Sequence, residues 1–188
     1  MAKYRVAVLI GSLRKEAFTR RLAEALRNLQ PASLDLEFVD IGALPLYNHD
    51  LETDNPPAAW TEYRAKIAAC DAVLFVSPEY NRGMPASIKN AIDVGSRPYG
   101  KAAINGKPCA VASNSPGMLG GFGANLQIRQ SVLFLDMPTM LQPELYISHV
   151  DKAIEPGGKV PSDGVRQLLE KFLAKFADWI ERNAPRAP

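Results

Sequence analysis

The chain has 188 residues, 47% apolar and 22% charged, with 22 basic residues against 20 acidic ones for a net charge of +2. Those fractions exclude a disordered tail protein, and so even a balance gives no reason to expect nucleic acid as the main partner. Two cysteines without a CxxC pair, Cys70 and Cys109, exclude a disulfide scaffold and a structural zinc site.

The first apolar run, Tyr4 to Ile10, is hydrophobic at successive positions, as in a strand covered by helices on both faces. It follows Met1 closely and is far too short to span a membrane. No leader, membrane insertion or membrane-spanning helix is expected, and the expected compartment is the cytoplasm. A helix follows with Phe18, Leu22, Leu26 and Leu29 on one face, stopped by Pro31. Leu34 to Ile41 alternates as a second strand. Gly42 to Pro57 is polar, rich in proline and too irregular for a regular element.

A short helix near Ala58 to Ala69 leads to Asp71–Val76, the most apolar strand. Pro85 opens a further helix to about Ser96, because its missing N–H is not needed in a first turn. Lys107 to Ser113 is the fourth strand. A helix through Ile128, Val132 and Leu135 comes next, then a fifth strand near Thr139 to Leu141, with Leu145 to Ile147 as its continuation. Val165 to Ile180 carries an apolar stripe across four turns, with Trp179 on its core side. Five strands alternating with five helices predict a doubly wound α/β domain spanning 1–188. Both the flavodoxin-like strand order 2-1-3-4-5 and a truncated dinucleotide-binding order fit that count.

In such a sheet, ligands bind beyond the carboxyl ends of the strands. Three loops meet there. Gly11–Arg20 combines two hydroxyls (Ser12, Thr19), a guanidinium (Arg14) and the donors of a helix start, which suits a phosphate. It is neither GxGxxG nor GxxxxGK[ST], so a monophosphate fits better than a longer chain. Ser77–Pro85 is bracketed by prolines and offers Tyr80 to a flat ring. Ser113–Gly123 holds Gly117, Gly120, Gly121 and Gly123, which would let backbone approach a ligand. Other chemistry finds little support. His49 and His149 have no metal spacing, and there is no Gly-x-Ser-x-Gly elbow. The ends of strands one and three lack the acids of a phospho-receiver domain.

Together the loops resemble the NAD(P)H-dependent FMN reductase family of flavodoxin-like proteins, which includes quinone, azo-dye and chromate reductases. Ser77-Pro78-Glu79-Tyr80-Asn81, followed by Pro85-x-x-x-Lys89-Asn90-Ala91-Ile92-Asp93, is similar to its PEYN…P…LKNAID signature. Gly11-Ser12-x-Arg14 resembles its phosphate loop, and Ser115-Pro116-Gly117-x-x-Gly120-Gly121 its third flavin loop. The chain departs from the family pattern at Arg82, where many relatives carry an aromatic residue, and at Ala17-Phe18.

The resemblance implies the flavodoxin-like strand order, FMN as cofactor and NADPH or NADH as donor. Ser12, Arg14, Phe18 and Thr19 would hold the FMN phosphate, and Pro78, Glu79, Tyr80 and Asn81 would border the isoalloxazine. Ser113, Ser115, Gly117 and Gly120 would close on its pyrimidine side. Acceptors would be quinones, flavins, azo compounds or chromate, and the assembly a homodimer or homotetramer. No catalytic acid or base is assigned, since the cofactor carries the redox chemistry and the protein supplies position and electrostatics. A nearby cation such as Arg14 or Arg82 would favour a 2′-phosphate and hence NADPH. The alternative is a non-catalytic flavin-binding carrier or redox sensor.

Overall fold

The computed structural model describes residues 3–184. Strands β1 (Tyr4–Ile10), β2 (Leu34–Val39), β3 (Ala72–Ser77), β4 (Cys109–Asn114) and β5 (Leu145–Ile147) form one sheet in the order β2-β1-β3-β4-β5. Every neighbouring pair is parallel. That order resolves the choice the element count left open: the chain is flavodoxin-like, and strand order reverses beside β1.

Helices cover both faces, and the two-residue period of the strands sorts the core into two layers. Val6, Val8, Ile10, Leu74 and Val76 pack with Leu22 and Leu26 of α1 (Phe18–Asn28). Leu169, Phe172 and Phe176 of α6 (Asp163–Asn183) complete that layer. On the other face, Leu9, Val73 and Phe75 meet Trp60 and Ile67 of α2 (Ala58–Ala68). Ile88 and Ile92 of α3 (Ala86–Gly95) and Ile128 and Val132 of α4 (Phe122–Leu133) join them. Each fully buried aliphatic side chain stabilises the fold by roughly 1.5–3 kcal/mol relative to exposure. Cys70 and Cys109 are buried free thiols within the second layer.

Three local expectations need correction. Thr139 to Leu141 is not a ladder strand; Thr139 makes one parallel bridge to Cys109, and Met140 N–H donates to the Cys109 carbonyl at 2.8 Å. Pro138 and Pro143 flank that stretch, and residues without an N–H cannot extend a ladder. A four-residue helix, α5 (Val150–Ala153), was not anticipated, because so short a segment shows no period. Trp179 lies at the rim of the core, half-buried, with Nε1–H donating to the Pro138 carbonyl at 2.8 Å.

The irregular stretch 42–57 holds a single 3-10 turn, His49–Leu51. Asn90 ties it down: its Nδ2 donates to the carbonyls of Leu44 (3.2 Å) and Pro45 (3.0 Å), and its Oδ1 accepts from Tyr47 N–H (2.8 Å). A bidentate ion pair, Arg64 to Glu52 at 2.8 and 2.7 Å, holds the stretch to α2. The asparagine of the KNAID segment is therefore scaffolding, as are Ile88, Ala91 and Ile92, which are core.

Candidate active site

The loop from β1 to α1 runs from Gly11, whose N–H donates to the Val76 carbonyl at 2.8 Å, to the first turn of the helix. From Ser12 through Thr19, no backbone N–H has an acceptor among the described residues, and the α1 N-cap, Ala17, supplies no side-chain cap. Ser12, Ala17 and Thr19 are all buried. Leu13 to Glu16 are open to solvent, whereas buried backbone donors are almost always paired, so the buried members of this run suit an external acceptor. The positive end of α1 adds to the demand for an anion.

These donors border a cleft of about 240 Å³, whose walls include Arg14 and Phe18 on the first loop, Pro78 and Tyr80 on the second, and Asn114 and Ser115 on the third. Whole-ligand pockets run to roughly 300–1,000 Å³, so this cleft suits a phosphoryl group and part of its chain, with any flat ring on the open rim. Tyr80 stands at that rim, 47% exposed, with its hydroxyl 3.3 Å from the Ser12 Oγ. The residues fit the phosphate end of a flavin mononucleotide.

The expected residues separate into groups. Ser12, Arg14, Phe18, Thr19, Pro78, Glu79, Tyr80 and Ser115 line the cleft together. Thr19 does so with its hydroxyl engaged, accepting from Asn114 Nδ2 at 3.2 Å. Asn114 was missed, yet it is a polar residue closing an otherwise apolar strand at the carboxyl end, where ligands gather. Its amide also donates to the Ser77 carbonyl at 3.3 Å and so spans two loops. Ala17 and Pro116 complete the lining that sequence reasoning did not find.

Glu79 has a different task from bordering a ring. Its Oε2 accepts from the N–H of Gly123 (2.6 Å) and Ala124 (3.2 Å), which caps α4 in place of Gly121, a residue with no side chain to do so. A charged cap of this kind stabilises by about 1 kcal/mol. The same carboxylate meets Arg82 Nη1 at 3.4 Å, an exposed contact of little energetic weight. Asn81 and Arg82 form a tight turn with φ of 50° and 66°, closed by Tyr80 and Gly83, each donating its N–H to the other's carbonyl at 2.9 Å. Left-handed backbone at Arg82 costs on the order of 1 kcal/mol, held by that closure. Asn81 is exposed and lies outside the cleft lining.

Ser113 lies behind the cleft lining. It is fully buried; its hydroxyl accepts from Asn125 Nδ2 at 3.2 Å and faces the Leu145 carbonyl, so it supports the third loop from beneath. Two glycines of that loop also meet the chain's own backbone closely on the Cβ side. A Cβ on Gly120 (φ 57°) would lie 2.9 Å from the Tyr146 backbone, and one on Gly121 (φ 81°) 2.9 Å from Ser113 Cβ. Gly117 donates its N–H to Ser115 Oγ at 3.0 Å, and its carbonyl accepts from His149 N–H at 3.2 Å. Ser148 Oγ donates to the Met118 carbonyl at 2.6 Å, so the loop is fastened to the segment after β5.

Burial pushes the Cys109 thiol up to about 12, which removes it as a nucleophile. No helix of the described residues is long and apolar enough to cross a membrane.

A profile described as NADPH-dependent FMN reductase matches residues 4–152. The chain is 54% identical over 180 residues to a quinone reductase of Pseudomonas putida, covering 96% of each chain. It is 42% identical over 176 residues to a 2-hydroxy-1,4-benzoquinone reductase of a Burkholderia species, covering 94% of this chain and 96% of that one. Among solved structures, the flavoenzyme NAD(P)H:(acceptor) oxidoreductase FerB of Paracoccus denitrificans superimposes with a TM-score of 0.92 at 38% identity, covering 97% of this chain and all of that one.

Proposed function

Because the chain belongs to the NADPH-dependent FMN reductase family and is a flavin-dependent oxidoreductase using NAD(P)H, we propose that it reduces quinones by two electrons. The observation that carries the reading is the unpaired run of N–H donors from Ser12 to Thr19 beside Arg14, a seat for a phosphate. In this reading the first loop binds the FMN phosphate, with Ser115 on the opposite wall. Pro78 and Tyr80 flank the ring, and Asn81 stands further out. The third loop offers the N–H groups of Met118 to Gly121, which have no acceptors among the described residues. Gly120 belongs to that run, while Gly117 holds its shape.

Bound FMN supplies hydride chemistry, so the chain needs no acid or base of its own. Its work is to fix the phosphate, hold a flat open platform and aim backbone dipoles at the ring edge where charge develops. Glu79 contributes by holding the second loop to α4. Quinones are the acceptor class we favour, from the relatives' activities; flavins, azo compounds and chromate are weaker members of the same set. A carrier or sensor role is disfavoured by the extent of likeness to quinone reductases.

Residues 1–188 are read as one flavin-binding domain of the cytoplasm. A homodimer or homotetramer is supported by exposed Met118, Leu119, Phe122, Leu126, Leu133 and Phe134 on and around α4. So many exposed large apolar side chains along one helix and its flanks suit an association site. Light scattering of the purified protein checks that assembly.

The deciding experiment is an anaerobic spectrum of FMN-loaded protein through addition of NADPH and then benzoquinone. Rapid full bleaching followed by full recovery is expected. Flavin that binds but is not reduced would overturn the enzymatic reading, and absence of flavin binding would overturn the site.

A further inference from the structure

A second and larger cleft, of about 740 Å³, opens on the β2 side of the first loop. Leu13, Arg14, Lys15 and Arg20 form one wall; Phe38 and Asp40, at the end of β2, form the other. Ser12 and Arg14 line both this cleft and the flavin cleft, so the two share one wall. None of the three cations makes an ion pair with another described residue. Asp40 directly follows the last residue of β2; its Oδ1 accepts from Gly42 N–H at 2.8 Å, and its other oxygen has no partner among the described residues. Ile10, Val39 and Ile41 add an apolar floor.

That combination has a chemical meaning. Unpaired cations face anions, a carboxylate with a free oxygen accepts from hydroxyls, and an apolar floor takes a flat base. Asp40, with one carboxylate oxygen unpartnered among the described residues, can accept from a sugar hydroxyl such as that of a ribose. The volume lies in the range of a nucleotide-sized ligand.

We infer that this cleft binds the adenosine–diphosphate end of the nicotinamide donor, with Asp40 accepting from the ribose hydroxyls and Lys15 and Arg20 facing the phosphates. The inference rests on NAD(P)H being the donor. It also sets a preference at the ribose: Asp40 favours the 2′-hydroxyl of NADH and repels the 2′-phosphate of NADPH, against the pull of the cations.

Calorimetric titration of the FMN-loaded enzyme with ADP-ribose tests the site without turnover. Arg20→Gln is expected to weaken ADP-ribose at least tenfold while FMN affinity stays within twofold, since Arg20 lies outside the flavin cleft. Asp40→Asn is expected to raise the KM for NADH about fivefold and to lower that for NADPH, with kcat little changed. Both side chains are exposed, so neither change threatens folding. ADP-ribose affinity and both KM values within twofold of wild type in these variants would overturn the proposal. The flavin spectrum and quinone turnover of the same wild-type sample report separately on the proposed function: normal reduction with no ADP-ribose binding removes this site alone.

Discussion

The first loop and the pair formed by the second and third loops lie at the same end of the sheet but are built on opposite terms. The first leaves its backbone donors open from Ser12 to Thr19. The other two spend much of their polar capacity on each other and on the sheet: Glu79 on α4, Gly117 on Ser115, Ser148 on Met118. The first region lacks a partner for its helix start, and the other is largely fastened to itself, with the N–H groups of Met118 to Gly121 still open. Affinity for a flavin nucleotide should therefore reside in the first loop, and orientation of the ring in the other two.

The largest test of that division is Gly120→Val, which forces a branched side chain into the Tyr146 backbone at a φ of 57°. A loss of about 3 kcal/mol or more in unfolding free energy is expected, from overpacking plus left-handed strain. Denaturant unfolding measures it; an unchanged midpoint would mean the platform is softer than its packing indicates.

Next is Arg14→Ala. Removing one charge-assisted phosphate contact, at about 1.5–3 kcal/mol, should weaken FMN some ten- to a hundredfold with no change in thermal midpoint. Fluorescence titration reads the affinity, and parity with wild type would place the phosphate elsewhere.

Glu79→Ala should show the reverse pattern, a stability loss of about 1–2 kcal/mol from the missing α4 cap with FMN affinity reduced only a few-fold. Glu79→Gln keeps an acceptor and should recover most of that stability. A glutamine variant that is fully stable yet devoid of turnover would instead make the carboxylate itself part of the chemistry.

A last test concerns pH. The Cys109 thiol, held at about 12 by burial, ionises near its ordinary value of roughly 8.5 once the chain unfolds. Its contribution to stability is full below that ordinary value and is lost as pH rises towards 12, with a slope of at most about 1.4 kcal/mol per unit. Urea melts between pH 8 and 10.5, compared with Cys109→Ala, isolate it. Iodoacetamide at pH 8 should leave the folded enzyme active.

The sequence announced the α/β alternation because long apolar strands and periodic helices carry it locally, residue by residue. Strand order was not local information. It depends on which edges β1 offers to β2 and β3, and only the resemblance pointed to the flavodoxin-like arrangement. Cleft residues such as Ser12, Arg14 and Tyr80 were legible because their types suit phosphate and ring. The glycines are ambiguous in sequence for a physical reason: Gly120 and Gly121 look the same whether a ligand or the chain's own strand approaches them. The placing of Ser113 was not legible either, since its alternation within β4 turns it inward, where Asn125 meets it. Glu79's role needed α4 placed beside the second loop, a contact between residues 44 apart in sequence.

That contact has a mechanical consequence. Glu79 joins the segment flanking the ring to a helix whose outward face carries Phe122, Leu126 and Leu133, so the two surfaces move as parts of one lever. Were copies of this chain to dock on the outer arm, reciprocity would require that any stiffening passed along this contact return the same free energy to the ligand. In that case dilution below the dissociation constant of the assembly should loosen the flavin grip, although no residue of the helix's outer face lines the cleft.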